Sequence, residues 1–171
     1  LDKFAILGKD RVTFRVGDLN YPKTITPDGY VDAVISVYSL METEGMQGIL
    51  ANFGKWSARD AQLVIVGVHP AWALIDNLER RLTGKEPRII HGIDSYFGQQ
   101  KGAFHIPNTA LQPPHIQYTI QDYVTAMCVA DFEITTLEEH PPTSEVIAAE
   151  PTYEFYKGMP CTLVLGGRKK R

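Results

Sequence analysis

Two nearly continuous apolar segments with an amphipathic stretch between them constrain the fold of this chain more than any other feature. Residues 31–38 and 63–68 are rich in valine and isoleucine, which is typical of strands covered on both faces of a parallel sheet. Residues 44–58 carry an apolar stripe at helical spacing, formed by Met46, Ile49, Leu50, Phe53 and Trp56. Strand, helix and strand in this order predict a right-handed βαβ unit and an α/β fold.

A further strand is predicted before this unit. Val12, Phe14 and Val16 alternate with polar residues, which indicates a strand over residues 11–19 with Asp18 close to its end. In open parallel sheets, ligands bind beyond the carboxyl ends of the strands, so a carboxylate at this position is a candidate ligand contact. The alternative is that Asp18 only caps a turn or a helix.

The C-terminal half is predicted to add one helix and two strands. Thr119 is a suitable N-cap for an amphipathic helix that begins at Ile120. Residues 132–137 and 159–165 are predicted strands, and a short helix is expected near residues 145–149 between them.

Between the two halves, residues 71–114 show no single period. They hold four aromatic side chains and several glycines and prolines. A stretch of this length without a clear period inside a compact domain is usually functional, so we interpret it as a lid over a binding site.

Composition restricts the class of protein and of partner. A chain of 171 residues with 44% hydrophobic and 22% charged residues suits one globular domain with a sizeable core. A formal net charge of -3 gives no basic field, which argues against nucleic acid or anionic membrane as a partner. Cys128 and Cys161 are too few and too far apart for a disulfide framework or a zinc site, and no metal is expected. No apolar run approaches a transmembrane length and no secretory leader is seen, so the expected location is the cytoplasm.

In their order and spacing, these segments resemble the C-terminal two-thirds of a class I S-adenosylmethionine-dependent methyltransferase of the small-molecule type. The resemblance rests on residues 11–19, 28–40 and 62–70, and on His115 to Thr119 followed by a helix, Ala130-Asp131-Phe132 and a strand that reaches Glu138. Asp131 stands where the family usually has glycine, and aspartate tolerates the left-handed conformation that such a turn needs. The acidic-x-Gly-x-Gly loop that should come first is not found.

The resemblance implies a Rossmann-like methyltransferase sheet that is incomplete at its N-terminal side and has an antiparallel C-terminal strand. Residues 1–171 would form a partial methyltransferase domain, with residues 71–115 as a lid or substrate-covering insertion within it. In this family the strand ending at Asp18 pairs with a strand that is not found here. One side of residues 31–38 would then present unpaired backbone groups, which something must cover.

The implied cofactor is S-adenosylmethionine, with S-adenosylhomocysteine as product. By resemblance, Asp18 accepts the adenine amine and the backbone of Leu19 meets the ring edge, which suits a carboxylate because it can only accept hydrogen bonds. Ser36, Val37 and Tyr38 would lie under the methionine part of the cofactor. The alternative for Val37 and Tyr38 is simple core packing.

His115 and His69 are the candidate catalytic residues, since imidazole titrates near neutral pH and could take a proton from an acceptor. Both could instead be structural. Five aromatic side chains are the candidate substrate contacts and would favour a flat or apolar acceptor: Trp72, Tyr96, Phe97, Phe104 and Tyr118. These aromatic residues could equally be packing of the lid itself.

Two functions remain open. The first is methyl transfer to oxygen, nitrogen or carbon of a small molecule, with a partner subunit or a missing N-terminal segment that supplies the glycine-rich loop. The second is a non-catalytic methyltransferase-like subunit that completes or regulates a heteromeric methyltransferase. The Asn/Asp-Pro-Pro-aromatic motif of nucleic-acid amino-methyltransferases is missing, because Ser36-Val-Tyr-Ser39 stands in its place.

Overall fold

The computed structural model describes residues 12–84, 90–104 and 109–171. Its strands are β1 Val31–Val37, β2 Ser57–Val68, β3 Ile90–His91, β4 Gln100–Phe104, β5 Pro114–Gln117, β6 Phe132–His140 and β7 Thr162–Lys169. Its helices are α1 Met46–Trp56, α2 Trp72–Thr83, α3 Ile120–Val129 and α4 Ser144–Ala149. Short 3₁₀ turns occur at Pro22–Thr24, Leu40–Glu42 and Pro151–Tyr156.

The main sheet has four strands in the order β1-β2-β7-β6. β1 and β2 are parallel and are joined through α1, as the predicted βαβ unit requires. β7 is antiparallel to both of its neighbours, β2 and β6. The chain is therefore an α/β protein with an antiparallel strand from its C-terminal end, as predicted. Within the described residues, β1 is paired on one side alone.

Helices α1 and α3 cover one face of this sheet and build the main core with it. The apolar stripe predicted for α1 is confirmed, since Ile49, Leu50 and Phe53 are buried in a cluster with Leu63 of β2. Gly54 permits close contact between the helices: a Cβ atom on it would lie 2.4 Å from the carbonyl oxygen of Ala130, which follows α3.

Both ends of α3 follow the sequence prediction. The Thr119 side chain accepts a hydrogen bond from the backbone N–H of Asp122, and the Asp122 side chain accepts one from the backbone of Thr119. This capping box satisfies donors that the first turn of a helix leaves unpaired. At the other end Asp131 has φ of 63°, the left-handed conformation expected of the residue that replaces the usual glycine.

Residues 71–115 contain more regular structure than the sequence indicated. α2 lies there, and so does most of a second sheet in the order β3-β4-β5. The sequence prediction overlooked a signal for this helix, because Leu74, Ile75, Leu78 and Leu82 follow helical spacing. The helix also buries polar residues, since Asp76 and Asn77 are 1% and 6% exposed.

The strand predicted at residues 11–19 is wrong for the residues that the structure describes. Residues 12–18 are neither helix nor strand. Phe14 and Val16 are exposed by 66% and 102%. A strand is stable only when its backbone groups pair with a neighbour, and no strand in the described part of the chain pairs with these residues.

Across the described residues, no helix is both long enough and apolar enough to cross a bilayer.

Candidate functional site

A cavity of about 560 Å³ opens at the carboxyl ends of β1 and β2. Tyr38 directly follows β1, Val68 ends β2 and Thr162 begins the antiparallel β7, so all three lie at the same edge of the main sheet. The cavity is lined by Tyr38, Met41, Glu42, Val68, Trp72, Phe104, Pro113, His115, His140, Pro141, Pro142, Thr143, Val146, Tyr153, Cys161 and Thr162. Its volume is in the range typical of small-molecule sites.

Four of the residues predicted for the site meet in this cavity. They are Tyr38 from the proposed cofactor set, His115 from the catalytic pair, and Trp72 and Phe104 from the substrate set. They come from four separate parts of the chain, so the fold brings together residues that are far apart in sequence.

His115 is held as a neutral imidazole. It lies on β5 and is 5% exposed. Burial lowers its pKa to about 4, while a side-chain hydrogen bond with Gln117 acts in the opposite direction. Gln117 is itself fixed, because its amide nitrogen donates to the carbonyl oxygen of Pro70 at 2.6 Å. At neutral pH the ring therefore carries no charge and keeps one nitrogen that can accept a proton.

An aromatic wall closes one side of the cavity. The rings of Trp72 and Tyr153 are stacked, with centroids 5.8 Å apart and planes 9° apart. The Tyr156 ring packs behind them, 4.2 Å from Trp72. The hydroxyl of Tyr156 donates to buried Asp76 at 2.6 Å, and this fixes the Pro151–Tyr156 turn against α2. The wall is thus rigid and pre-formed.

His69 is buried outside the cavity lining, and both of its ring nitrogens are engaged. Nδ1 accepts from the backbone N–H of Ala71 at 3.1 Å. Nε2 lies 2.6 Å from a carboxylate oxygen of Glu139. Because Nδ1 accepts a hydrogen bond, Nε2 carries the ring proton and donates a hydrogen bond to Glu139. The ring therefore joins the end of β2 to β6.

The other three predicted substrate contacts lie outside the cavity lining. Tyr118 is 3% exposed, packs in the main core and donates from its hydroxyl to the carbonyl oxygen of Thr43 at 3.0 Å. Burial raises the pKa of Tyr118. The hydroxyl of Tyr96 accepts from the backbone N–H of Ile120, and its ring meets the exposed ring of Phe97 edge to face.

Asp18 and Leu19 lie in an exposed turn beside the start of α1. The Asp18 carboxylate accepts from the backbone N–H of Asn20 at 2.8 Å. Leu19 packs on the main core, and its carbonyl oxygen accepts from the side chain of Asn52 on α1. A Cβ on Gly45, which precedes α1, would lie 2.7 Å from the Asn20 side chain, so the turn fits closely against the helix start.

The three residues predicted under the methionine part have different environments. Ser36 is buried and its hydroxyl lies 2.8 Å from that of Ser39, so its side chain points to the covered face of the sheet. Val37 is 55% exposed on the opposite face. Tyr38 has φ of 48°, a conformation that few non-glycine residues adopt, and it turns the chain away from the sheet at the cavity.

Sequence reasoning missed the segment that forms the outer wall of the cavity. His140 to Thr143, Val146 and Tyr153 line it from a stretch predicted to be a connection between two strands. The two prolines at 141 and 142 were a usable signal, since they end β6 and direct the chain over the cavity. Their contact with residues from β5 and α2 depends on the tertiary fold.

Comparisons with solved structures identify the fold. An S-adenosylmethionine-dependent methyltransferase from Mesorhizobium loti is 17% identical with a TM-score of 0.63, covering 98% of this chain and 74% of its own. A Listeria monocytogenes protein described as an S-adenosylmethionine-dependent methyltransferase is 14% identical with a TM-score of 0.64. The match covers 100% of this chain and 78% of that protein. The 1,6-didemethyltoxoflavin-N1-methyltransferase from Burkholderia thailandensis, solved with 1,6-didemethyltoxoflavin and S-adenosylhomocysteine, is 14% identical with a TM-score of 0.58, covering 99% and 56%.

The sequence itself matches no family model and no curated protein. One further structural neighbour is the cyclase SpnF, 15% identical with a TM-score of 0.55. Identities this low show the fold alone, and one fold supports several reactions. The chain thus has the Rossmann-like methyltransferase fold that its sequence predicted.

Proposed function

We propose that the protein transfers a methyl group from S-adenosylmethionine to oxygen, nitrogen or carbon of a small molecule. The observation that carries this proposal is the neutral, buried His115 facing an apolar cavity at the carboxyl ends of β1 and β2. That edge of a parallel sheet is where α/β folds bind their ligands. Several neighbours in fold are methyltransferases, and two of them hold S-adenosylhomocysteine.

The residues present suit two parts of such a cofactor, namely its adenine and the methionine part that carries the methyl group. Asp18 offers an exposed carboxylate for the adenine amine, and the Leu19 backbone is fixed beside it by Asn52. Val37 and Tyr38 offer the surface at the end of β1, and buried Ser36 would contribute through its backbone. When bound, the sulfonium supplies an already activated methyl group, so the protein has mainly to align the acceptor and exclude water.

His115 would take the proton that an O–H or N–H acceptor loses. A neutral imidazole is the form that can do this, and burial keeps the ring neutral at physiological pH. His69 was the other candidate base. Because both of its nitrogens are engaged, we propose that it positions β6 and β2 at the cavity instead.

Residues 71–115 would cover the acceptor, because Trp72, Phe104 and His115 reach the cavity from this segment. Tyr118, Tyr96 and Phe97 would support the cover rather than contact the acceptor. They hold β5, α3 and the loop before β4 in place through the contacts of their hydroxyls and rings.

The glycine-rich loop would come from a segment that packs beside β1, either a partner subunit or preceding chain. Two features support this. Among the described residues β1 lies at the edge of the sheet, and on it or next to it Tyr30, Ile35 and Val37 are exposed by 78%, 69% and 55%. An apolar, unpaired edge of this kind favours association with another strand. The alternative, a non-catalytic subunit, predicts the same association without any need for His115.

A turnover assay distinguishes the methyltransferase from the non-catalytic subunit. It uses the intact particle, by which we mean this protein together with any segment or subunit that covers β1. Labelled S-adenosylmethionine is incubated with a panel of small aromatic acceptors, and S-adenosylhomocysteine is measured. We expect product that His115→Gln reduces strongly, whereas Cys128→Ser, an exposed change on α3, leaves it unaltered. Turnover that is equal in the wild type and in His115→Gln would favour the regulatory subunit.

A further inference from the structure

We propose that the acceptor is a planar aromatic compound that carries no negative charge, bound against Trp72 and Tyr153 with Glu42 beside it. This rests on the proposed function and names the class of molecule that the cavity admits. Shape and charge support it separately.

The shape argument comes from the aromatic wall. Trp72 and Tyr153 present parallel rings, and Phe104 adds a third ring to the same cavity. Aromatic rings gain most from offset or edge contacts with another flat ring. A volume of about 560 Å³ accepts a fused bicyclic or tricyclic ring system, and prolines 141 and 142 supply flat apolar surface around it. The hydrogen bond between Tyr156 and Asp76 holds the aromatic wall in place, so ligand binding costs little conformational entropy of these side chains.

The charge argument comes from the residues that line the cavity in the described ranges. None of them is lysine or arginine, and Glu42 is the one carboxylate among them. His115 is neutral because burial lowers its pKa to about 4, and burial raises the pKa of the Cys161 thiol to about 12. Any charge on the ring of His140 is offset by Glu138 at 2.9 Å.

Against these described lining residues, a carboxylate or phosphate would therefore lose water without gaining the charge of a lysine or arginine. An unpaired ion in an apolar site is strongly disfavoured, whereas a neutral hydroxyl, amide or ring N–H can donate to His115. A protonated amine is also allowed, because Glu42 can face it. The described lining thus disfavours anions because it holds no lysine or arginine, and it accepts cations because it holds Glu42.

Binding of three matched probes, measured without S-adenosylmethionine, tests this. Naphthamide, naphthoate and naphthylmethylammonium share the naphthalene ring system and are neutral, negatively charged and positively charged, respectively. We expect ligand-observed NMR titrations to give at least tenfold weaker binding for naphthoate than for the other two. Glu42→Gln should remove any advantage of the ammonium probe over the amide. Glu44→Gln is the matched control, since Glu44 lies outside the cavity lining and pairs with Lys101 at 2.7 Å.

A gain of function provides the second arm. Val146→Arg places a cation on the partly exposed rim of the cavity, on α4, where little packing is lost. It should raise naphthoate affinity at least tenfold and leave naphthamide unchanged. Naphthoate binding as tight as naphthamide in the wild type, or no binding by any probe, would overturn the inference. Since no methyl donor is present, neither result bears on the turnover assay that tests the proposed function.

Discussion

The two faces of the main sheet differ sharply in how they are covered. On one face, Leu63 and Ile65 of β2 are buried under α1 and α3, at 0% and 4% exposure. On the other, Ile35 and Val37 of β1 are more than half exposed, and their partners on β2, Val64 and Val66, are partly buried. The residues on both faces are equally apolar, so composition does not explain the difference.

The comparison shows which part of the sheet is covered within the described residues. The covered face has its helices, caps and packed core within residues 31–171. The open face of β1, and the edge that no other described strand pairs with, carry the valine and isoleucine residues that the sequence predicted to be covered on both sides. The Asp18 turn, proposed for the cofactor, is also exposed. We interpret the open face as the place where the cofactor-binding half of the fold belongs.

The largest expected effect comes from truncating one side chain on each face. Leu63→Ala should lower the free energy of unfolding by about 2 to 5 kcal/mol, because it leaves a cavity in a closed core. Ile35→Ala should change it by about 0.5 kcal/mol or less in the isolated chain, since the side chain is 69% exposed. Urea unfolding measures both. Similar losses for the two variants would mean that the open face is already covered.

Acid should destabilise the folded protein through His115, which is buried at the cavity. Its folded pKa is lowered from 6.5 to about 4, so the unfolded state binds the proton more tightly. Stability is therefore unaffected by this group above pH 6.5 and falls as the pH drops towards 4, by about 3 kcal/mol in all. Urea midpoints across this range should show the loss. In His115→Gln that component should vanish, and a slope unchanged from wild type would contradict the buried neutral state.

Turnover should depend on the same residue. If His115 takes the acceptor proton, His115→Gln should reduce the rate of the intact particle about 100-fold, equal to about 2.7 kcal/mol, while leaving cofactor affinity unchanged. Rates measured from pH 6 to 8 provide the check. Wild-type rates across that range would mean that His115 takes no proton and would favour the non-catalytic subunit.

The smallest expected effect concerns the exposed carboxylate of Asp18 in the turn beside α1. Asp18→Ala should weaken S-adenosylmethionine binding by the intact particle by about 1.5 to 3 kcal/mol, through loss of a charge-assisted hydrogen bond. Asp18→Asn is the matched control for the turn, because its side-chain oxygen can still accept from Asn20. Calorimetry should find both variants weakened and both folded. An affinity that neither change alters would remove Asp18 from the site.

The elements that could be predicted from sequence are those with a local signal. The stripe of α1 follows the helical period, Thr119 and Asp122 form a cap within four residues, and Asp131 marks a left-handed turn. Residues 12–18 show how such a signal can mislead. Their alternation is typical of a strand, but a strand forms only with a partner, and a local pattern does not report whether one exists.

Part of the candidate site could be proposed from the sequence. His115 was named from the order of segments, Trp72 and Phe104 were named as aromatic residues of the segment without a clear period, and all three line the cavity. Tyr118 and His69 were named in the same way, yet their polar atoms bond to Thr43 and Glu139. Those partners lie 75 and 70 residues away in sequence, so only the tertiary structure reveals them.

Our central proposal is that a further segment covers the open side of the sheet before the cofactor binds. Its most direct test is calorimetric titration of S-adenosylmethionine into two samples. One is a verified monomer of residues 1–171, and the other is the intact particle, in which the same residues are joined by the covering segment. We predict micromolar affinity for the particle and no measurable binding by the monomer, because the monomer offers the Asp18 turn and the end of β1 but no glycine-rich backbone against them. Micromolar binding by the monomer, or no binding by the particle, would contradict the account.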